Sequence, residues 1–157
     1  MKAEVKTDSP SWGALYCSYE APGDSVKATS CPELSLTRTL LPPADSLSLG
    51  GRVTVLLTLK VNEDMDYVVI DDQRGACFEP VDQLPATVWT DGVRAYRVSG
   101  DTSTRFFIDR LRRGTYQIAY DVYVNNAGTF TSGIATVQSQ YAPRFTAHSS
   151  GTTLYVK

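Results

Sequence analysis

Histidine is nearly absent from the chain: His148 is the only one in 157 residues. A Ser–His–acid site would have to be built on it. It sits instead in the polar stretch "FTAHSSG", beside Ser149 and Ser150, where an ordinary surface-loop histidine is the simpler reading. A zinc site would need His148 together with cysteines or carboxylates from distant loops, and no ligand spacing suggests one. Positive charge is not in excess either. The net charge is −2, so no broad basic field is available to hold nucleic acid or anionic lipid. The local cluster Arg105, Arg110, Arg112 and Arg113 reads as a solvated strand end and turn rather than a phosphate site. No Gly-rich phosphate loop is present. No apolar run approaches the roughly 20 residues that span a bilayer. The opening "MKAEVKTDSPSW" has no apolar signal core. The expectation is either a cytoplasmic chain or a piece of a longer exported protein. Cysteine is scarce and odd in number. Cys17 and Cys31 lie 14 positions apart and could be bridged, leaving Cys77 over. Spacing does not decide pairing, and three free thiols are the alternative.

What is present is ordinary for one globular domain. Hydrophobic residues make up 42% and charged residues 20%, and the length suffices for a real core. The dominant period is two. In "RVTVLLTLKV", Val53, Val55, Leu57, Leu59 and Val61 share one side, with Leu56 the exception on the other. In "TYQIAYDVYV", Tyr116, Ile118, Tyr120, Val122 and Val124 alternate with Gln117, Ala119, Asp121 and Tyr123. That pattern marks half-buried strands rich in β-branched and aromatic residues. Further strands are expected at 12–20, 34–41, 66–71, 86–89, 94–99, 104–111, 130–141 and 153–157. "APGD", "LPPAD", "LGG", "TDG", "RRG" and "NNAG" supply turns between them. No segment has a helical period. The expectation is an all-β protein: a single antiparallel β-sandwich over residues 1–157, with 1–50 as leading strands.

Acidic residues gather in "NEDMDYVVIDD". Asp64 and Asp66 alternate as calcium ligands can, but the glycine that an EF-hand loop requires is missing. Carboxylate pairs of the glycosidase kind meet only in three dimensions, so sequence does not test for them. Trp12 and Trp89 could form a sugar-stacking platform, although aromatics in strands are more often core. A stand-alone carbohydrate- or protein-binding sandwich is therefore the alternative reading.

The stretch "MDYVVIDDQRGACFEPVDQ" carries a resemblance. Tyr67, Val68, Val69 and Asp71 fit a strand of the form Y-V-V-x-D. Arg74, Ala76, Phe78, Glu79, Pro80 and Val81 fit a following loop close to R-x-A-x-F-E-P-V. Downstream, "FFIDRLRRGTY", "AGTF" and "YAPRF" continue the pattern, with Gln140 where a Met is expected before Tyr141. Together these resemble the C-terminal domain of bacterial alpha-2-macroglobulin family proteins, best over 51–157 and weaker before 50. The resemblance implies a macroglobulin-type sandwich, like the receptor-binding domain of the animal relatives. It implies a non-catalytic structural domain of a large exported protease trap, in the periplasm or at the cell surface, with any lipid anchor on the parent's N-terminus. Its partners would be the parent's other domains, including a thioester domain, and proteases through the parent. No cofactor is implied. The family's thioester motif is Cys-x-Glu-Gln. "CPEL" at Cys31 and "CFEP" at Cys77 lack the Gln at the third position on, so neither cysteine can form that bond. An exported parent would also meet an oxidising space in which a Cys17–Cys31 bridge could persist, with Cys77 a free thiol in either case.

Overall fold

The computed structural model describes residues 9–10, 12–14 and 16–157. Leu15 and most of the opening segment lie outside the described residues. Twelve strands carry the described fold: β1 (Leu34–Leu41), β2 (Arg52–Val61), β3 (Met65–Gln73), β4 (Phe78–Pro80), β5 (Ala86–Thr90), β6 (Val93–Ser99), β7 (Ser103–Leu111), β8 (Gly114–Val124), β9 (Gly128–Ser132), β10 (Ala135–Ser139), β11 (Thr146–His148) and β12 (Thr152–Val156). They form a four-stranded sheet in the order β1-β2-β8-β4, a six-stranded sheet β11-β10-β3-β7-β6-β5 and a β12-β9 ribbon. All the ladders between these strands are antiparallel. The all-β expectation holds.

The alternation explains the packing. Val53, Val55, Leu57, Leu59 and Val61 of β2 are buried, as are Ile118, Tyr120, Val122 and Val124 of β8. These two strands pair from Arg52↔Tyr123 to Val61↔Gly114, so their inward rows lie side by side. Val68 and Ile70 of β3 and Phe106 and Ile108 of β7 supply the facing layer. Each such side chain contributes about 1.5–3 kcal/mol when fully buried. Leu56, the exception in the pattern, is half-buried on the outer face. Asp91 and Gly92 both have positive φ, 46° and 75°. They close the β5–β6 hairpin in the two-residue geometry whose twist suits a right-handed ribbon.

Three local expectations need correction. Among the described residues, 12–20 form no strand, and Trp12, Tyr16 and Tyr19 are exposed. Alternation there has no neighbouring strand to pair with. The single strand expected over 130–141 is two, because the chain changes partners at Gly133. β9 pairs with β12, whereas β10 pairs with β3 and β11. Gly133 lies so close to Gln73 that a Cβ would collide with its side chain. Finally, β4 and β11, of three residues each, are too short to show a period.

Candidate functional site: a buried clasp and an exposed sheet face

The stretch Asp71–Gln83 is a crossover between sheets, and its charges are used to pin it. It leaves β3 in the six-stranded sheet and enters β4, which pairs with β8 in the other. Asp71 faces outward and ion-pairs with Arg105 at 3.1 Å. Arg74 reaches back to β7, donating to Thr104 Oγ1 at 2.7 Å and to the carbonyls of Gly100 and Asp101. Asp82 takes Arg97 at 2.8 Å. Gly75 sits within this crossover, packed against β12 and β9. Its φ is not in the left-handed region, but a Cβ there would stand 2.7 Å from Leu154 Cδ1. Glycine is needed for close approach.

Asp72 points the other way, into the core. Val68, Ile70 and Asp72 occupy successive inward positions of β3 and are all buried. On β1, Leu34, Leu36, Arg38 and Leu40 form the matching row. Arg38 and Asp72 meet between the sheets at 2.8 Å, with side chains 6% and 1% exposed. Tyr120 Oη of β8 donates to the other carboxylate oxygen at 2.8 Å. Arg38 also donates to Gln73 O at 3.1 Å, Ser132 Oγ at 2.5 Å and Gly133 O at 2.6 Å. The clasp thus ties β1, β3, β8 and β9 together. A buried ion pair is tolerated when further hydrogen bonds satisfy its groups, and here both Nη groups of Arg38 and both Asp72 oxygens have partners. Burial pushes the Asp72 carboxyl up, against the pull of Arg38 and Tyr120. Burial, then the adjacent carboxylate, pushes the Tyr120 hydroxyl well above its usual value. With Tyr120 protonated and every hydrogen bond pointed inward, the geometry is that of a structural tie.

The other residues singled out in the sequence are dispersed. His148 is half-buried on β11, its Nδ1 3.0 Å from Ser149 O. It lines an open groove of 690 Å³ with Tyr19, Ala21, Ser25, Val26, Lys27 and Thr29. Asp64 serves the β7–β8 turn, accepting from Arg113 N at 2.8 Å and Arg112 Nη1 at 2.9 Å. The Arg113 amide first, then Arg112, hold its carboxyl below the usual range. Asp66 pairs with Arg110 at 3.3 Å. Among the described residues, no three His, Cys, Asp or Glu are placed to hold a metal. All three cysteines are free: Cys17 is exposed, Cys31 part-buried and Cys77 buried. Cys17 and Cys31 are not joined in this structure, and Cys17 lies on no strand that would bring it alongside the partner. Burial pushes the Cys77 thiol up, away from the reactive thiolate.

Aromatics in strands are more often core, but several here are outside. On the outer face of the six-stranded sheet, Trp89 is 72% exposed, Tyr96 48% and Phe107 40%. Tyr96 stands opposite Phe107, and Phe107 opposite the half-buried Val69. Trp89 stands opposite Arg94, one diagonal from Tyr96. A further exposed pair, Tyr67 and Tyr141, packs edge to face at 5.0 Å. Trp12 is exposed as well, and among the described residues no ring contact joins it to Trp89.

The family model described as the bacterial alpha-2-macroglobulin MG10 domain matches residues 26–144. Solved structures agree in fold. A mutant of Salmonella alpha-2-macroglobulin superposes with a TM-score of 0.75 at 20% identity, over 87% of this chain and 10% of its own. Trypsin-activated alpha-2-macroglobulin from Escherichia coli gives 0.69 at 16% identity, over 88% of this chain and 11% of its own. The native Escherichia coli protein spanning domain MG7 to the C-terminus gives 0.69 at 16% identity, over 87% and 25%. At such identities the likeness shows the fold alone. The chain spans about one-tenth of the full-length structures it resembles. No curated protein matches it. The family model covers most of the chain, and the fold, crossover and sheet order stand beside it: this chain belongs to the bacterial alpha-2-macroglobulin family, as an MG10-type macroglobulin domain.

Proposed function

We propose that the chain is a structural and interaction domain, itself non-catalytic, of a longer bacterial alpha-2-macroglobulin-like protease trap. The observation that carries this reading is the family match across 26–144 of a chain that equals one-tenth of its structural relatives. The clasp supports it: the most buried polar cluster holds two sheets together and turns no reactive group outward. Proteases would be met by the parent, whose bait segment and thioester lie in other domains. Cys31 and Cys77 take no part in such a bond, since Leu34 and Pro80 stand where its Gln would be needed. The parent would be exported to the periplasm or cell surface. This domain would use no cofactor and bind no nucleic acid.

The test uses the parent gene. A reading frame several times longer, encoding Cys-x-Glu-Gln outside this domain, is expected. The purified parent should block a protease acting on large substrates while sparing its action on small peptides. The 157-residue chain added alone should leave both activities unchanged. Stoichiometric loss of protease activity with this chain alone would overturn the assignment. A second reading, a carbohydrate- or protein-binding module, draws on the exposure of Trp89 and Tyr96. Saturable oligosaccharide binding by the chain would favour it.

A further inference from the structure

We propose that the outer face of the six-stranded sheet, along Trp89, Tyr96, Phe107 and Val69, is the face by which this domain docks onto another domain of the same parent polypeptide. The inference rests on the reading just given, that the chain is one domain of a longer protein. Register makes the stripe continuous: Tyr96↔Phe107 and Phe107↔Val69 are direct neighbours, and Trp89 lies diagonal to Tyr96. At 4.7–4.9 Å between strands, four strands carry it across about 15 Å.

The stripe is held rigid from beneath. Phe106, Ile108, Val68 and Ile70, on the opposite face of the same strands, are fully or nearly fully buried. Docking here would cost little ordering entropy. The residue types match those that dominate binding energy at protein interfaces, namely Trp, Tyr and Arg around an apolar centre. Arg105 at the rim is neutralised by Asp71. Arg94, beside Trp89, is exposed and has no ion pair or hydrogen bond among the described residues. The partner surface should therefore be flat and apolar, with a carboxylate opposite Arg94.

Size selects the occupant. A stable complex of separate proteins buries about 800 Å² on each side, more than three partly exposed aromatics and a valine provide. Inter-domain contacts within one chain begin at about 600 Å² in total. Tethering also raises the effective concentration into the millimolar range. A small apolar stripe is sufficient for a tethered domain and weak for a free partner or a second copy.

Hydroxyl-radical footprinting of the full-length parent tests this. Trp89 and Tyr96 should be labelled several-fold more slowly than in parent carrying Phe107→Lys or Arg94→Glu. Both substitutions lie on the outer face and should leave the unfolding midpoint of this domain unchanged. Labelling of Trp89 and Tyr96 in wild-type parent at the rate of fully open side chains, unaltered by either variant, would overturn the docking face while leaving the multidomain reading intact. A parent gene without further domains would overturn that reading, and this one with it. Protection that appears only with added oligosaccharide, or that fades on dilution, would assign the face to a sugar or a second copy instead.

Discussion

Tyr120 Oη and Asp72 Oδ2 stand 2.8 Å apart across the interior, one on each sheet. Arg38 completes the triad from a third strand. Asp72 accepts from both, one carboxylate oxygen each, so losing either donor leaves a buried oxygen unmet. Removing one partner of a buried ion pair costs about 3–5 kcal/mol, so Asp72→Ala and Arg38→Ala should each approach that loss. Tyr120→Phe leaves one carboxylate lone pair unmet and should cost about 1–3 kcal/mol. Urea unfolding of the three variants checks the order. A double variant, Arg38→Ala with Asp72→Ala, should lose clearly less than the sum of the singles. Strict additivity would show that the clasp is not energetically coupled.

Acid stability should depend on Asp121. Burial pushes its carboxyl up, but the Thr54 hydroxyl and the Arg52 guanidinium outweigh this and hold it below the usual range. A carboxyl with a lowered folded-state value stabilises the protein above about pH 3.8. That stabilisation is lost as pH falls through the folded value. Asp121→Asn should therefore flatten the acid limb of the unfolding midpoint against pH below about 4. Asp72, shifted upward by burial, has the opposite sign: its contribution is present at low pH and declines as pH rises through its folded value. An acid limb equally steep in wild type and Asp121→Asn would refute the assignment.

Much of this was legible in the sequence, and the failures are physical. The inward rows of β2 and β8 could be read directly, because one face is wet and the other dry. Half of the clasp's signal is also in the sequence. Arg38 interrupts Leu34, Leu36 and Leu40, and Asp72 follows Val68 and Ile70 at the same period. Two opposite charges at inward positions are a signal for a buried pair, but nothing in one dimension says that they meet. β4 is not legible because three residues carry no period. Residues 12–20 misled because alternation describes a strand only when another strand pairs with it. Composition favours the core for Trp89, as for most strand aromatics, yet it is exposed; the outward place of Phe107 is readable from its alternation with the buried Phe106 and Ile108.

Gly75→Ala should destabilise the domain by about 1–3 kcal/mol, the usual range for overpacking a closed core. The added Cβ would meet Leu154 Cδ1 at 2.7 Å, and Thr131 O stands at 3.4 Å. Leu154 is fully buried and has little room to yield. A second substitution, Leu154→Ala in the Gly75→Ala background, should cost less than Leu154→Ala alone, because the new methyl occupies part of the cavity. Thermal melts of the four proteins decide it. Equal cost in both backgrounds would place the strain elsewhere.

The three thiols should react in the order Cys17, Cys31, Cys77. Cys17 is exposed and outside any strand, so its encounter with a reagent is limited by chemistry alone. Cys31 is part-buried, and its Sγ lies 3.7 Å from Leu34 O, which should slow it. Cys77 is fully buried, its thiol pushed up by burial. It should react only when the Asp71–Gln83 crossover opens, so its rate should track the folding equilibrium and rise steeply with denaturant. Denatured, unreduced protein should titrate three thiols if the chain is purified without oxidation. One titratable thiol, mapped to Cys77, would instead establish the Cys17–Cys31 bridge. That outcome would require the segment around Cys17 to move onto the start of β1, since disulfide reach needs Cα atoms within about 7 Å.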